Sequence, residues 1–311
     1  MGKPNIAVIA GGWSNERDVS LLSGTAAYKA LDRNKYDAIL YDPKHDLPAL
    51  IENKERIDLA FILLHGRFGE DGGIQGFLDI MGIPFVGSGL LSSAMAGNKR
   101  LTKDLYRGQG LSVADDIILK KEAPVSIEHI LKKLGRHTVV KPLGEGSSVG
   151  MSVCGNAEEL RLGIEKAFAC GREIMIEKYI KGREVSCCVL GNNHLETLPI
   201  IEILTKAHHR FFDYDAKYTA GESKEICPAQ ISETTEAGVR QAAIKAHQVL
   251  ECKVWSRTDM IIKDEKVFLL ETNTIPGMTE NSLFPLAART AGINFSELLD
   301  RLIRLSFEKE R

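Results

Sequence analysis

The chain has little of what disulfide-rich, secreted proteins depend on. Its 311 residues hold six cysteines, which show neither a CxxC pair nor a spacing that suits a zinc site. Sparse, unpatterned cysteines are typical of reduced thiols in a cytoplasm. The cysteines are Cys154, Cys170, Cys187, Cys188, Cys227 and Cys252. We therefore expect a cytoplasmic protein.

A surplus of charge of one sign and long apolar runs are also missing. The 40 basic and 42 acidic residues leave a formal net charge of -2, so no excess of cations can release the counterions of a nucleic acid. No stretch approaches the roughly 18 to 20 apolar residues that span a bilayer. The apolar start at 6–10 is too short for a signal peptide. We expect neither a nucleic-acid partner nor a membrane partner.

The length and the order of apolar segments predict more than one domain. A chain of 311 residues exceeds a comfortable single core, and its first part alternates short strands with helical patterns. The first strands are predicted at 6–10, 38–41 and 59–64. This rhythm predicts βαβ units and a parallel sheet. Later elements are predicted at 88–110 (helix), 198–204 (strand), 232–251 (helix) and 254–273 (hairpin), so the fold class is α/β followed by α+β.

A glycine-rich stretch runs from Lys141 to Gly150 with the sequence KPLGEGSSVG. Glycines let backbone N–H groups approach phosphate oxygens closely, but this stretch lacks the Gly-Lys-Ser/Thr ending of a P-loop. It also joins two predicted strands, so it does not offer the anion site of a helix N-terminus. A plain hairpin turn and a phosphate-binding flap both fit the stretch taken alone.

The predicted hairpin carries three oxygen ligands. Glu271 and Asn273 are two residues apart on a strand and so share a face. Asp259 can lie opposite Glu271 if the connection holds an odd number of residues or a bulge. Such a set suits Mg²⁺. The alternative is the solvated face of an exposed hairpin, but the opposite side is apolar, with Met260, Ile262, Phe268 and Leu270.

Five stretches together resemble the ATP-grasp superfamily and, within it, the D-alanine–D-alanine ligase family. They are GGWSNERDVS at 11–20, LHGRFGEDG at 64–72, EGSSVGM at 145–151, DYDAKY at 213–218 and ETNTIPGMT at 271–279. The resemblance covers nearly the whole chain, and several motifs in one order are more specific than any alone. It implies an ATP-grasp fold with an N-terminal Rossmann-like, parallel-sheet domain. The implied domains are 1–92, which binds the first D-alanine, then 93–181 and 182–311 as the central and C-terminal ATP-grasp subdomains.

The resemblance implies an ATP site between the second and third domains. Its residues would be Lys99, Lys141, Glu145, Ser148, Glu177, Lys178, Tyr179, Ile180, Glu184, Phe211 and Lys217. Lys99 and Lys141 would hold phosphates, with Lys217 adding positive charge. The segment 177–180 would read the adenine, and Glu184 would bind the ribose. An ordinary edge strand is the alternative for 177–180. Two Mg²⁺ ions, or Mn²⁺ in their place, would bind at Asp259, Glu271 and Asn273.

The resemblance also implies sites for two D-alanine molecules, which would be joined through an acyl phosphate. The residues would be Glu16, His65, Ser147, Tyr218, Arg257, Gly277, Ser282 and Leu283. Glu16 and His65 would hold the first D-alanine, while Arg257 and the Gly277 N–H would form an oxyanion hole. Arg257 is otherwise an ion-pair partner for a carboxylate of the hairpin. Ser282 would fix the second D-alanine, although its position before a helix also suits an N-cap.

Several features leave other interpretations open. The polar segment 206–221 is long enough for a lid, and Tyr218 favours a dipeptide over D-alanine-D-lactate. The sequence departs from the family pattern at Asn98, Phe68 and the cluster His208, His209 and Arg210. The alternatives are an ATP-grasp ligase for another pair, with D-lactate or D-serine, and a non-enzymatic nucleotide-sensing module. A dinucleotide-binding dehydrogenase is disfavoured because Gly11-Gly12 lacks the GxGxxG spacing. A homodimer is expected from the family and from the frequency of two-fold oligomers.

Overall fold

The structure is a computed structural model that describes residues 2–144, 149–205 and 223–308. Three sheets follow one another along the chain, and each contains residues of the predicted site. Several predicted residues lie outside the described ranges, namely Glu145, Ser147, Ser148, His208, His209, Arg210, Phe211, Lys217 and Tyr218. Their assignments stay predictions.

The first sheet is parallel and has the strand order β2–β1–β3. Its strands are β1 Asn5–Ile9, β2 Asp37–Tyr41 and β3 Leu59–Ile62. The connecting helices are α1 Arg17–Ala30 and α2 Pro43–Glu52, with a short 3₁₀ turn at Lys54–Arg56, and α3 Gly73–Met81 follows the last strand. β3 is buried along its whole length, as expected for a parallel strand covered on both faces. The predicted parallel N-terminal sheet is confirmed.

The helix predicted over 88–110 is wrong as a single element. The structure has two helices, α4 Leu90–Gly97 and α5 Lys99–Gly108. Asn98 separates them because its backbone is extended (φ -96°, ψ 94°) and its side chain accepts a hydrogen bond from the Leu101 N–H. Asparagine is among the best N-cap residues, so it ends one helix and begins the next. The break places Lys99 at the first turn of α5.

The second sheet is antiparallel, with the order β4–β7–β5–β6. Its strands are β4 Asp116–Lys120, β5 Thr138–Pro142, β6 Ser152–Cys154 and β7 Glu173–Lys178. Two helices, α6 Ile127–Leu134 and α7 Ala157–Cys170, cover one face and bury a separate apolar core. Ser126 and Asn156 cap them through their side chains. β7 lies between β4 and β5, so the predicted alternative of an edge strand at 177–180 is wrong.

The third sheet has the order β11–β10–β8–β12–β13, and a short β9 pairs with β8. Its strands are β8 Arg183–Gly191, β9 Glu196–Thr197, β10 Ile201–Thr205, β11 Ser223–Ile226, β12 Val254–Lys263 and β13 Lys266–Asn273. Helix α8 Glu233–Val249 packs on this sheet together with α5. β10 begins at Ile201, three residues later than predicted, because Pro199 has no N–H for the ladder.

The last two helices return to the first sheet. They are α9 Leu283–Thr290 and α10 Phe295–Ser306. Phe284 and Leu298 belong to the same buried core as β1 and β3. The Trp255 ring of β12 packs edge-on against Phe284 with centroids 5.2 Å apart. The chain end therefore fixes the first sheet against the third, and a cleft remains between them.

None of the helices in the described ranges has the length and apolar character needed to cross a membrane.

The buried histidine of α8 makes the stability of the fold depend on pH. His247 is 2% exposed, its Nδ1 lies 2.8 Å from the Ser256 Oγ, and burial lowers its pKa from 6.5 to about 4. Between these values the unfolded chain binds a proton that the folded chain does not. We predict that this group costs the folded state about 3 kcal/mol as the pH falls from 6.5 to 4.

Urea unfolding at a series of pH values tests this prediction with His247→Asn as the comparison, since an amide can keep the bond to Ser256. The free-energy difference between the variant and the wild type should shift in favour of the variant as the pH falls. Parallel curves would contradict it, because every other titratable group is present in both proteins.

Candidate active site

A cavity of about 630 Å³ lies between the loops of the first sheet and the β12–β13 hairpin. Nine predicted site residues line it: Glu16, His65, Lys99, Arg257, Glu271, Asn273, Gly277, Ser282 and Leu283. They come from all parts of the chain except the second sheet. The cavity therefore brings the predicted substrate residues and two predicted metal ligands into one space.

The other described residues of the prediction lie away from the lining of this cavity. They are Lys141, Glu177, Lys178, Tyr179, Ile180, Glu184 and Asp259. All except Asp259 belong to β5, to β7 and the turn after it, or to the start of β8. Gly144, three residues after Lys141, does line the cavity. Apart from Lys99, the predicted nucleotide residues that the structure describes thus lie on neighbouring strands, and the end of β5 connects these strands to the cavity.

The β12–β13 hairpin has the register that the sequence predicts for a bulged connection. Asp259 pairs with Glu271 and Arg257 pairs with Asn273, but Met260 pairs with Leu269. One residue, Leu270, is thus extra on β13, which is the arrangement of a β-bulge. Without it, Asp259 and Glu271 would not be directly opposite each other. The predicted alignment of the two carboxylates is confirmed.

Arg257 forms a bidentate ion pair with Asp259. Its Nε lies 2.9 Å from Oδ1 and its Nη2 lies 2.7 Å from Oδ2, and Ser186 also donates to Oδ1. Burial disfavours the charged guanidinium, yet the Asp259 carboxylate outweighs this and raises the pKa of Arg257. Arg257 therefore stays cationic at the edge of the cavity. The predicted ion pair and an oxyanion-binding role are compatible, because a guanidinium carries five donors.

The oxygen ligands at the hairpin fit a divalent cation. Glu271 and Asn273 line the cavity, while Arg257 on the same hairpin pairs with Asp259. Within the described ranges, no three His, Cys, Asp or Glu side chains gather closely enough to hold a metal. A cation here would thus rely on the Asn273 amide oxygen and on phosphate oxygens. Mg²⁺ binds in this way, through one or two carboxylates and its substrate.

Glu16 and His65 meet where the first and third strands of the parallel sheet end. Glu16 precedes α1, and a Cβ on Gly66 would lie 2.7 Å from the Glu16 Oε2. Gly66 also has φ +70°, so glycine is needed beside Glu16. His65 is 5% exposed, with Ser23 Oγ 3.2 Å from its Nε2 and Glu70 Oε1 3.4 Å from its Nδ1. The imidazole is held at both nitrogens.

Ser282 faces the cavity rather than its own helix. It occupies the N-cap position of α9, but its side chain makes no capping hydrogen bond. Instead its Oγ accepts from the Thr279 N–H at 3.0 Å and lies 2.7 Å from the Thr279 Oγ1. A Cβ on Gly277 would lie 3.0 Å from this Oγ. The predicted alternative of a capping side chain at Ser282 is wrong.

Lys141 and Glu177 form a buried ion pair on the second sheet. The Lys141 Nζ lies 2.6 Å from the Glu177 Oε2. Burial raises the pKa of Glu177, but the charges of Lys141 and Lys103 outweigh it and lower the pKa to about 2. Lys178 is exposed, and Tyr179 and Ile180 are half-buried at the end of β7. A polar, charged strand end next to apolar positions suits a nucleotide base and its phosphates.

Two family profiles match the chain. The profile described as D-ala D-ala ligase C-terminus matches residues 105–304, and the profile described as D-ala D-ala ligase N-terminus matches residues 42–88. The chain belongs to the D-alanine–D-alanine ligase family. The predicted ATP-grasp fold with an N-terminal parallel sheet is confirmed.

Relatives within this family cover nearly the whole chain. D-alanine–D-alanine ligase of Syntrophobacter fumaroxidans is 51% identical over 98% of this chain and 98% of its own length. A ligase structure from Bacillus anthracis complexed with ATP has a TM-score of 0.85 at 36% identity and covers 97% of both chains. The VanG D-Ala:D-Ser ligase of Enterococcus faecalis has a TM-score of 0.83 at 32% identity, over 98% of this chain and 100% of that chain.

The sequence did not point to several residues that the ligase fold places at the site. Arg67, Glu70 and Glu280 line the cavity, and Ser23 contacts His65. Arg67 and Glu70 lie within the motif LHGRFGEDG at 64–72, so their position in that motif could have identified them as site residues. Ser23 lies 42 residues from His65, and a contact over that distance leaves no local pattern.

The Arg257–Asp259 ion pair predicts non-additive losses in the free energy of unfolding. Asp259→Asn should lower the free energy of unfolding by about 3 kcal/mol, because it leaves the Arg257 guanidinium buried without a counter-charge. The double variant Asp259→Asn, Arg257→Met should lose less than the sum of the single variants, as measured by a double-mutant cycle in urea.

Arg301→Met is the matched control, because the Arg301–Glu196 pair has a similar distance of 2.8 Å but half-exposed partners. That substitution should change the free energy by less than about 1 kcal/mol. Additive losses at Arg257 and Asp259 would contradict the coupling.

Proposed function

We propose that the chain joins two D-alanine molecules to D-alanyl-D-alanine while ATP is converted to ADP and phosphate. The observation that carries this proposal is the single cavity in which Glu16 and His65 face Arg257, Gly277 and Ser282. Membership of the D-alanine–D-alanine ligase family and the ATP-complexed relative support it. The non-enzymatic module has no support of this kind.

The proposed reaction has two steps. A carboxylate oxygen of the first D-alanine attacks the γ-phosphorus of ATP, and the bond from that phosphorus to ADP breaks. The amine of the second D-alanine then attacks the carbonyl carbon of the acyl phosphate, loses a proton and expels phosphate. Both steps develop negative charge, so fixed positive groups accelerate them.

The residues of the cavity would act as follows. Glu16 binds the ammonium of the first D-alanine, and His65, held by Ser23 and Glu70, lies near its carboxylate. The permanent charge of Arg257 and the Gly277 N–H stabilise the oxyanion of the tetrahedral intermediate. Ser282 fixes the carboxylate of the second D-alanine beside Leu283. Lys99 and Lys141 hold phosphates.

The proposed metal site consists of Asp259, Glu271 and Asn273. A bound Mg²⁺ would supply positive charge to the phosphates of ATP, and Mn²⁺ has similar ligand preferences. Asp259 already neutralises Arg257, but a carboxylate has about four lone-pair sites and can serve both. Glu271 and Asn273 face the cavity directly. The remaining ATP contacts proposed for 177–180 and Glu184 lie along the adjoining strands.

We also propose a cytoplasmic homodimer with three functional domains at 1–92, 93–181 and 182–311. The three sheets fall within these three ranges. The six free cysteines fit a reducing compartment, and two-fold dimers are the commonest oligomers.

Phosphate release tests the proposed function. Purified protein with ATP and Mg²⁺ is supplied with D-alanine, L-alanine, D-alanine plus D-lactate, D-alanine plus D-serine, or no amino acid, and products are identified by mass. We expect release that depends on D-alanine and a D-alanyl-D-alanine product. Phosphate release only with a mixed pair would support an ATP-dependent ligase but would overturn the assignment of D-alanine as both substrates. The similarity to a D-Ala:D-Ser ligase makes the D-serine comparison the most informative control.

The metal assignment predicts that Glu271→Gln reduces turnover by at least about 100-fold, because charge stabilisation of phosphoryl transfer is lost. Its unfolding should stay cooperative. Asp264→Asn is the matched control, since it removes a carboxylate from the exposed turn of the same hairpin, where φ is +48°. Turnover at the wild-type rate in Glu271→Gln would refute the assignment.

A further inference from the structure

A cluster of five charges lies behind the proposed nucleotide site, and all of them except Arg107 are buried or half-buried. It joins α5 to the second sheet and consists of Lys103, Arg107, Asp116, Lys141 and Glu177. Lys103 is 1% exposed, and its Nζ contacts the Glu177 Oε1 and lies 3.0 Å from the Asp116 Oδ1. Arg107 also contacts Asp116. A fully buried lysine is rare and needs such compensation.

Strand register explains why the cluster needs Lys103. Asp116 of β4 pairs directly with Glu177 of β7, and like charges opposite each other on neighbouring strands repel. Lys103 lies against both carboxylates and relieves this repulsion. Glu177 also faces Val139 of β5, and Lys141 is two residues further on the same face. One carboxylate, Glu177, is therefore shared by two lysines.

Because two lysines share the Glu177 carboxylate, Lys141 can also bind a phosphate. If Lys141 were the sole partner of Glu177, its charge would be largely cancelled by that carboxylate. A second cation on Glu177 leaves part of the Lys141 charge available to another anion. Glu177 therefore meets two ammonium groups beside the end of β5, whereas Arg107 is paired with Asp104 and Asp116.

Helix α5 also connects this cluster with the cavity. Lys99 at its start lines the cavity, and Lys103 follows one turn later on the same side. Tyr106, a further turn along, lies with its hydroxyl 2.6 Å from the Thr272 Oγ1, between the proposed metal ligands of β13. The helix thus fixes the nucleotide strand β7 relative to the hairpin.

We propose that Lys103 is a positioning residue of the nucleotide site, which holds the Glu177 carboxylate in place and leaves the Lys141 ammonium available to a phosphate of ATP. Lys103 is not among the described residues that line the cavity. The inference rests on the proposed function for its ligand, ATP. It assigns a role to a residue outside the quoted family motifs.

Calorimetric titration of ATP with Mg²⁺, without D-alanine, measures the effect. Lys103→Met should weaken ATP binding by about tenfold or more, since Lys141 then becomes the one lysine on Glu177 and its charge is less available to a phosphate, while Lys103→Arg should retain most of the affinity. The KM for D-alanine should change less than the KM for ATP. Folding should survive, because Glu177 keeps Lys141 and Asp116 keeps Arg107 as counter-ions. If Lys103→Met does not unfold cooperatively, Lys103→Gln replaces it.

Arg107→Met is the matched control, because it removes a cation from the same cluster but contacts Asp116 and not Glu177. It should leave ATP affinity near the wild-type value. The effect of Lys103→Met should also be smaller in a Glu177→Gln background, where no carboxylate competes for Lys141.

The outcomes separate the two proposals. Wild-type ATP affinity in Lys103→Met, or an equal loss in Arg107→Met, would overturn the role of Lys103 while leaving the ligase function intact. A wild-type chain that did not bind ATP would count against the proposed function itself.

Discussion

The pairing of β12 with β13 is the constraint on which the site depends. One extra residue on β13, Leu270, lets Asp259 face Glu271 and Arg257 face Asn273. The same two strands bury apolar side chains against α8, so the register of the charged end is set by the packing of the other face. A shift by one residue would turn the carboxylates into the core. Packing energy thus holds the oxygen ligands in place.

Two buried carboxylates near the cavity are compensated by cations before any substrate binds. Arg257 neutralises Asp259, and Lys103 with Lys141 neutralises Glu177. Because the groups are fixed by strands and by α5, they require little rearrangement when charge develops during phosphoryl transfer. The arrangement also explains why these side chains tolerate burial, since an isolated charge in the same positions would be costly. Stability and catalysis therefore draw on the same ion pairs.

The sequence predicted most of the fold and, within the site, the alignment of the two carboxylates on the β12–β13 hairpin. Local patterns were sufficient for the parallel sheet, and a period of two with an allowance for a bulge placed Asp259 opposite Glu271. The helix over 88–110 failed because the cap at Asn98 depends on one side-chain hydrogen bond, which helical periodicity does not reveal. The surroundings of Lys103 could not be read at all, since its partner Glu177 is 74 residues away.

Ser282 shows a different limit. Its sequence context suits both an N-cap and a substrate contact, and only the three-dimensional position of Thr279 shows that the hydroxyl does not cap the helix. Where two interpretations share one local pattern, a contact from another segment of the chain is needed to separate them.

The most direct measurement of the central claim is the binding of Mn²⁺ to the protein in the presence of ADP, followed by electron paramagnetic resonance. If the aligned oxygen ligands of β12 and β13 hold the cation, the wild-type chain should bind about two ions, and Glu271→Gln should lose most of this binding. Equal Mn²⁺ binding by the two proteins would show that the hairpin is not the metal site and would contradict the account.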